Sequence, residues 1–247
     1  MNNSKDLILK AKEFYENKNF FEAKNTLVEV LQNFELDKTH KLNLYVLISD
    51  ICFKINDFEN AEKYLIKSIE QGKSSSEIFN SLGNIYQKKR DFKNSEKSYL
   101  ESIKLNDKNE TALVNVAVLY NNLGKQKKAI YFYKKILLMN PKNIGALYNL
   151  SSLDKSIIDE KYITTLEDLI IKNELNNFDM ASCYFLIAEN EKRKKNFNKE
   201  IDLLLNANKF SFKCNKNKNI QANEYWFNII PKKFNNIVFN KNDKNFL

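Results

Sequence analysis

The chain has 247 residues, 43% of them hydrophobic, so it can bury one or two compact cores or form one elongated array. Its four glycines and two prolines are fewer than sheet-rich or loop-rich folds need, which favours long helices joined by short turns. The net charge of +9 does not favour nucleic acid, because only Arg90 and Arg193 among the forty basic residues are arginine, the usual reader of bases and phosphates.

The N-terminal stretch lacks the apolar core of a signal peptide, and no window of the sequence approaches the ~18 consecutive apolar residues of a membrane span. The sequence therefore predicts a cytoplasmic, non-secreted protein that does not enter a membrane. Three cysteines, Cys52, Cys183 and Cys214, are far apart and odd in number. They indicate reduced thiols rather than disulfides or a metal site.

From Leu42 the chain repeats a pattern every 34 residues, and an earlier copy that starts at Ser4 is separated from it by four extra residues around His40. When it is aligned on Ser4, Leu42, Ser76 and Glu110, small residues recur at repeat positions 8 and 20, and large apolar residues at positions 11 and 24. A period in this range is typical of stacked, identical helical units. Positions 4, 7, 8 and 11 share one face of a first helix, and positions 20, 24, 27 and 28 share one face of a second. Each repeat is therefore predicted to be a pair of antiparallel helices.

Small residues mark where the two helices of a repeat press together, because antiparallel helices approach closely only where side chains are small. The large apolar residues at positions 11 and 24 fill the space on either side of that contact. The predicted structural positions are Ala11, Ala23, Ser49, Ala61, Gly83, Ser95, Ala117, Ala129 and Pro141.

The aligned repeats resemble tetratricopeptide repeats, closely over residues 42–143 and well over 4–37. The matching residues are Leu82, Gly83, Tyr86, Ser95, Tyr99 and Ser102 in the third repeat and Tyr120, Ala129, Tyr133 and Pro141 in the fourth. The resemblance implies an all-α fold, a right-handed superhelical solenoid of antiparallel helix pairs. It also implies a non-catalytic scaffold that binds a protein or peptide segment in its concave groove.

Residues 1–210 are predicted to form the array, with repeats at about 4–37, 42–75, 76–109, 110–143, 144–180 and 181–210. The fifth repeat is degenerate, because its second half, DEKYITTLEDLIIKNE, is helical but off pattern. In the sixth repeat Glu200 stands at position 20, where the earlier repeats have a small residue, so the pattern does not predict the close helix contact there.

Residues 211–247 are predicted to be a basic C-terminal segment. From Asn190 to Leu247 the chain has thirteen basic and five acidic residues, so its positive charge is concentrated at this end. An apolar stretch at about 220–231, ended by Pro231, is predicted to be a helix that caps the array, followed by a frayed tail. The alternatives are a basic and aromatic surface for an anionic membrane or nucleic acid, or a connection into another domain.

The order of repeats four to six carries a narrower resemblance, over about residues 110–235. An off-pattern helix is followed by CYFLIAENEKRKKNFNKEIDLLLNANKF, which is similar to the end of the tetratricopeptide region in bacterial sulfotransferase fusion proteins. This resemblance implies an alternative function, the N-terminal accessory region of a sulfotransferase-type enzyme. That family continues into a glycine-containing loop for the phosphosulfate donor, whereas this sequence has no glycine after Gly145.

Catalytic chemistry is nearly absent from the sequence. His40 is the only histidine and has no cysteine or carboxylate at ligand spacing, so it is predicted to be an exposed turn residue. Gly83 and Gly124 belong to repeat positions rather than to a phosphate loop. We therefore expect no enzymatic activity, no metal and no cofactor.

A groove along the first helices is the best candidate for a site, because these helices line the concave side of such a stack. Asparagine amides both donate and accept, so they can pair with an extended peptide backbone. The resemblance implies an asparagine ladder at position 6, which Asn115 and Asn149 match. The opposite interpretation is that asparagine is simply abundant on a polar face. The predicted groove residues are Asn80, Asn84, Gln87, Asn115, Asn121, Tyr148 and Asn149.

Overall fold

The computed structural model describes residues 4–214, which contain twelve α-helices, one 3₁₀ turn and no β-strand. The predicted all-α fold is thus confirmed. The chain divides into two compact units, Met1–Met139 and Asn140–Leu247, called here the N-terminal and C-terminal units. The predicted capping helix at 220–231 and the tail after it lie outside the described residues.

The N-terminal unit contains four consecutive helix pairs. They are α1 (Ser4–Glu16), α2 (Phe20–Asn33), α3 (Lys38–Lys54), α4 (Phe58–Glu70), α5 (Ser76–Lys88), α6 (Phe92–Leu105), α7 (Glu110–Asn122) and α8 (Gln126–Met139). Side chains that precede the helices fix several of their starts, because they accept hydrogen bonds from backbone N–H groups that have no partner within the helix. Asp57 accepts from Asn60 N (3.3 Å), Asp91 from Asn94 N (3.1 Å) and Asn109 from Ala112 N (3.1 Å).

A three-residue turn reverses the chain between the two helices of each pair in this unit. The middle residue of every such turn has a left-handed backbone, with φ between 59° and 69° at Lys18, Asn56, Arg90 and Gly124. This conformation lets the N–H of the next residue reach back five residues, as from Asp91 to the Tyr86 carbonyl (2.9 Å). The turn is therefore set by backbone geometry, and only Gly124 meets that geometry with glycine.

The predicted small positions lie where the helices of a pair touch. Ala11, Ala23, Ser49, Ala61, Gly83, Ser95, Ala117 and Ala129 are all buried, whereas Pro141 is exposed. Two of the contacts carry an added hydrogen bond. Ser49 Oγ donates to the Ala61 carbonyl (2.7 Å), and Ser95 Oγ donates to the Gly83 carbonyl (2.9 Å). The close contacts predicted from the small residues are thus present in the structure.

Repeat position 21 joins consecutive repeats through polar contacts. Glu62 accepts hydrogen bonds from Tyr86 Oη (2.9 Å) and Lys89 Nζ (2.6 Å) of the next repeat. Glu96 makes the same two contacts one repeat later, with Tyr120 Oη (2.8 Å) and Lys125 Nζ (3.0 Å). Burial alone would raise the pKa of the Glu96 carboxyl, but hydrogen bonds from Lys125 and Tyr120 outweigh it and hold the pKa below its usual value. Glu96 is therefore ionised at neutral pH.

The described part of the C-terminal unit, residues 140–214, contains four helices and a short turn. They are α9 (Ile144–Leu153), the 3₁₀ turn (Lys155–Ile157), α10 (Glu160–Lys172), α11 (Asn177–Arg193) and α12 (Phe197–Cys214). Arg193 fixes the 3₁₀ turn against α11, because its guanidinium donates to the Lys155 carbonyl (2.7 Å) and the Ile158 carbonyl (2.9 Å). Helix α10 lies in the stretch predicted to be helical but off pattern.

Candidate functional site

The predicted groove in the N-terminal unit is built on the contact between Gly83 and Tyr99. The Tyr99 ring lies against Gly83, so that a Cβ atom at residue 83 would come within 2.4 Å of two ring carbons. Ser95 holds the same contact by donating to the Gly83 carbonyl. The absence of a side chain at Gly83 therefore lets the fully buried ring of Tyr99 reach past α5.

The Tyr99 hydroxyl orients two amide side chains on α5. It donates to Asn84 Oδ1 (2.7 Å) and also lies 3.0 Å from Gln87 Oε1. Burial raises the pKa of Tyr99 to about 12, so the hydroxyl keeps its proton at neutral pH and remains a donor.

Asn115 on α7 links two further amides of α5. Its Nδ2 group donates to Asn80 Oδ1 (2.9 Å) and to Asn84 Oδ1 (3.1 Å). We call Asn80, Asn84, Gln87 and Asn115 the amide cluster. Their hydrogen bonds use the side-chain oxygens of Asn80, Asn84 and Gln87. The NH₂ groups of those three residues, and Asn115 Oδ1, make no hydrogen bond within residues 4–214.

An open cavity of about 360 Å³ adjoins the amide cluster, and Asn84 belongs to both. It lies between α3 and α5 and is lined by Val46, Ser49, Asp50, Phe53, Leu65, Ser81, Asn84 and Ile85. We call it the groove cavity. Four of these eight residues are apolar, and Asp50 contributes the only charge among them. That carboxylate accepts a hydrogen bond from Tyr15 Oη (3.0 Å) and lies 3.9 Å from Lys54 Nζ.

The remaining predicted groove residues lie outside this arrangement. Asn121 is on α7 but makes no hydrogen bond to the amide cluster. Asn149 and Tyr148 belong to the C-terminal unit, where Asn149 Nδ2 donates to the Gly145 carbonyl (2.8 Å) of its own helix. Tyr148 lines a separate cavity of about 330 Å³ together with Ala188 and Glu200. The structure thus brings together four of the seven predicted residues.

Sequence reasoning missed several residues of the site. Tyr99 was assigned a packing role from repeat position 24, and periodicity does not show where a hydroxyl points. Phe53 and Ser81 of the groove cavity were also missed. Ser81 stands at position 6, where asparagine would mark a ladder, and its small side chain leaves the cavity open beside Asn84.

Two other kinds of feature, a metal-binding group and a membrane-spanning helix, were not found in the described part of the chain. Residues 4–214 contain no group of three or more His, Cys, Asp or Glu side chains that could hold a metal ion. No helix in the same range is long and apolar enough to cross a membrane. Burial raises the pKa of Cys52 to about 11 and that of Cys183 to about 12, so both thiols are protonated at neutral pH.

Known protein structures share this fold. PilF of Pseudomonas aeruginosa is 13% identical, with a TM-score of 0.61 over 81% of this chain and 88% of PilF. A tetratricopeptide repeat protein from Parabacteroides merdae is 13% identical, with a TM-score of 0.57 over 84% of this chain and 93% of that one. YrrB, described as a tetratricopeptide protein with an unusual peptide-binding site, is 16% identical, with a TM-score of 0.51 over 67% and 84%.

The sequence comparisons identify the repeat itself. No curated protein matches the chain significantly. The tetratricopeptide repeat family model matches residues 42–71, 76–109 and 110–143, which correspond to the second, third and fourth predicted repeats. Over these residues the chain is similar to tetratricopeptide repeats, in agreement with the helix pairs and buried small positions described above.

Proposed function

We propose that the protein is an interaction scaffold whose N-terminal unit binds an extended peptide segment of a partner protein. The segment lies across α3, α5 and α7, along the groove cavity and the amide cluster. The observation that carries the proposal is the direct junction of the two at Asn84, which places free amide groups beside a cavity with an apolar wall. Peptide recognition needs both features, polar groups for the backbone and a pocket for a side chain.

The amide cluster supplies the backbone contacts. The free NH₂ groups of Asn80, Asn84 and Gln87 donate to peptide carbonyls, and Asn115 Oδ1 accepts a peptide N–H. All four residues are half-buried, so their hydrogen bonds to a ligand are partly shielded from water.

The groove cavity is unsuited to an acidic side chain, because Asp50 is the only charged residue among those that line it. Val46, Phe53, Leu65 and Ile85 give it an apolar wall, and its volume of about 360 Å³ accommodates a large aliphatic or aromatic group. No lysine or arginine lines it, so it is not suited to clamp a C-terminal carboxylate. The ligand is therefore an internal segment of a protein rather than its charged end. The peptide-binding site described for YrrB, which shares the fold, is in keeping with this proposal.

Peptides with blocked termini, selected from a displayed library of random sequences, provide the test. The double substitution Asn84→Ala with Asn115→Ala removes two amides, and each hydrogen bond is worth about 0.5–1.5 kcal/mol net. The affinity should therefore be weaker by a factor that lies between several-fold and roughly a hundredfold. Ser81→Phe should abolish binding by filling the groove cavity. Asn121→Ala, on α7 but outside the cluster, should bind as the wild type does. Isothermal titration gives the affinities, and thermal melting checks that each variant is folded.

Two results would contradict the proposal. The first is selection of binders whose affinity is the same for wild type, Ser81→Phe and the double alanine variant. The second is that the blocked peptides do not bind, whereas the same sequences synthesised with a free C-terminal carboxylate do.

The accessory role in a sulfotransferase-type enzyme remains a prediction from resemblance, because no described residue and none of the similar proteins named above bears on it. The coding DNA around the sequence tests it directly. An adjoining reading frame with a strand, a glycine-containing loop and a helix start would indicate a phosphosulfate site. Unrelated neighbouring genes would leave the scaffold function alone.

A further inference from the structure

Helix α12 has an apolar face that nothing within residues 4–214 covers. The three side chains of this face are Phe197, Ile201 and Leu205, which are 59%, 55% and 64% exposed. Spacings of four residues place them along one side of the helix. We call this face the α12 stripe. A different side of α12 packs on α11, where Ala207 is buried and Phe210 stacks on Tyr184 with ring centroids 5.7 Å apart.

The equivalent face of earlier second helices meets the following repeat. Ile201 stands at repeat position 21, which Lys24, Glu62 and Glu96 occupy in α2, α4 and α6. Lys24 Nζ donates to Asp57 (3.3 Å) of the next repeat, Glu62 accepts from Tyr86, and Glu96 accepts from Tyr120. In α12 this position carries a purely apolar side chain. The stripe is therefore suited to an apolar partner in the place where a next first helix would lie.

The sequence directly after α12 provides such a partner. Five polar residues, NKNKN at 215–219, separate α12 from the apolar stretch at 220–230, and five residues likewise separate α4 from α5. This stretch contains Ile220, Tyr225, Trp226, Ile229 and Ile230. A segment tethered by so short a linker has an effective concentration of about a millimolar or more at the stripe, which favours it over a second copy of the chain.

We propose that residues 220–230 of the same chain dock on the α12 stripe and take the place of a next first helix. The docked segment buries Ile201 and Leu205 and so ends the array without leaving an apolar face for another molecule. This inference does not depend on the groove in the N-terminal unit.

Trp226 allows the proposal to be tested in the full-length chain, because it is the only tryptophan. Its fluorescence should be shielded from acrylamide in the wild type. Ile201→Glu with Leu205→Glu should raise the quenching constant several-fold and shift the emission to the red, because glutamates oppose docking of an apolar segment. Leu138→Glu on α8, which replaces a leucine that is 85% exposed, is the matched control and should leave both signals unchanged.

The same measurements contain the results that would overturn the proposal. Trp226 that is fully accessible in the wild type, or equally shielded in the double glutamate variant, means that the segment does not lie on the stripe. Shielding that increases with protein concentration, together with a dimer in sedimentation equilibrium, means that a second copy covers it. Circular dichroism checks that the helical content of every variant matches the wild type. Both replaced residues are more than half exposed, so it should not change.

Discussion

At the scale of single residues, the contact between Gly83 and Tyr99 decides both the packing of α5 on α6 and the orientation of the proposed binding groups. The missing side chain at residue 83 admits the ring, and the ring carries the hydroxyl that orients Asn84 and Gln87. A single small position thus connects the spacing of the sequence to the polar groups of the groove.

Gly83→Ala is expected to destabilise the protein. The new Cβ would overlap the Tyr99 ring at 2.4 Å, and overpacking of this kind costs roughly 1–3 kcal/mol. Gly145→Ala is the control, because its Cβ would meet no atom closer than 3.6 Å and its helical backbone suits alanine. Urea unfolding gives the two free energies of unfolding. An equal effect of both substitutions would show that the ring moves aside freely.

Buried tyrosines should make the protein sensitive to alkali. Burial raises the pKa of Tyr99 and of Tyr133 to about 12, against about 10 for an ordinary tyrosine. The folded state favours the neutral phenol. The contribution of these tyrosines to the free energy of unfolding is therefore fully present below pH about 10 and is lost as the pH rises to about 12. The free energy of unfolding should therefore fall across that range.

Tyr133→Phe separates the tyrosine contribution from that of lysines, which titrate in the same range. The Tyr133 hydroxyl is buried and has no hydrogen-bond partner in the described residues. Its removal should leave stability at neutral pH equal or higher and should make the alkaline decline shallower. Tyr99→Phe should instead lower stability at neutral pH, because Asn84 and Gln87 lose their shared donor. A Tyr133→Phe variant with an unchanged pH profile would contradict the assignment.

At the scale of elements, the left-handed turns are a source of strain. Lys18, Asn56 and Arg90 adopt a backbone conformation that costs a residue with a side chain about 1–2 kcal/mol relative to glycine. Their recurrence at one place in the repeat shows that pairing of the flanking helices outweighs this cost. The 34-residue period places the turns, but it contains no information on the sign of φ.

Arg90→Gly is expected to stabilise the protein by up to about 1 kcal/mol, because glycine adopts a positive φ without a steric penalty. Part of this gain is offset, because glycine also raises the conformational entropy of the unfolded chain. The side chain of Arg90 is exposed, so little buried surface is lost with it. Gly124→Ala should have the opposite effect at the equivalent turn, where φ is 69°. If the melting temperatures of the two variants changed in the same direction, backbone strain at the turn would not explain the effects.

Elements also show where prediction from the sequence stops. Periodicity predicted the helix pairs and their small contact residues, because burial follows helical spacing directly. It placed Asn115 and Asn149 at the same repeat position, yet Asn115 bonds to α5 and Asn149 to the Gly145 carbonyl in its own helix. A repeat pattern fixes the face on which an amide lies, whereas its partner depends on the particular neighbours at that point.

At the scale of the whole molecule, stability in the N-terminal unit should vary along the chain. Helix α7 packs against α5, α6 and α8, whereas α1 packs mainly against α2. In a linear array each element is stabilised only by its neighbours, so the end with fewer contacts opens first.

Native-state hydrogen exchange, followed by mass spectrometry, should therefore be faster in α1 than in α7. Helix α1 buries only Leu7 and Ala11, whereas α7 buries six residues. The opening of α1 therefore exposes less apolar surface than the opening of α7. Equal protection of the two helices would mean that the N-terminal unit opens only as a whole.

The amide cluster has a consequence for how long a ligand stays bound. Asn115 Nδ2 already bonds to Asn80 and Asn84, so the groups left for the proposed peptide are Asn115 Oδ1 and the NH₂ groups of the other three amides. Each of these groups exchanges a hydrogen bond to water for one to the peptide, which gains only about 0.5–1.5 kcal/mol net. The lifetime of the proposed complex should therefore depend on several modest bonds acting together, and the loss of any one of them should speed dissociation.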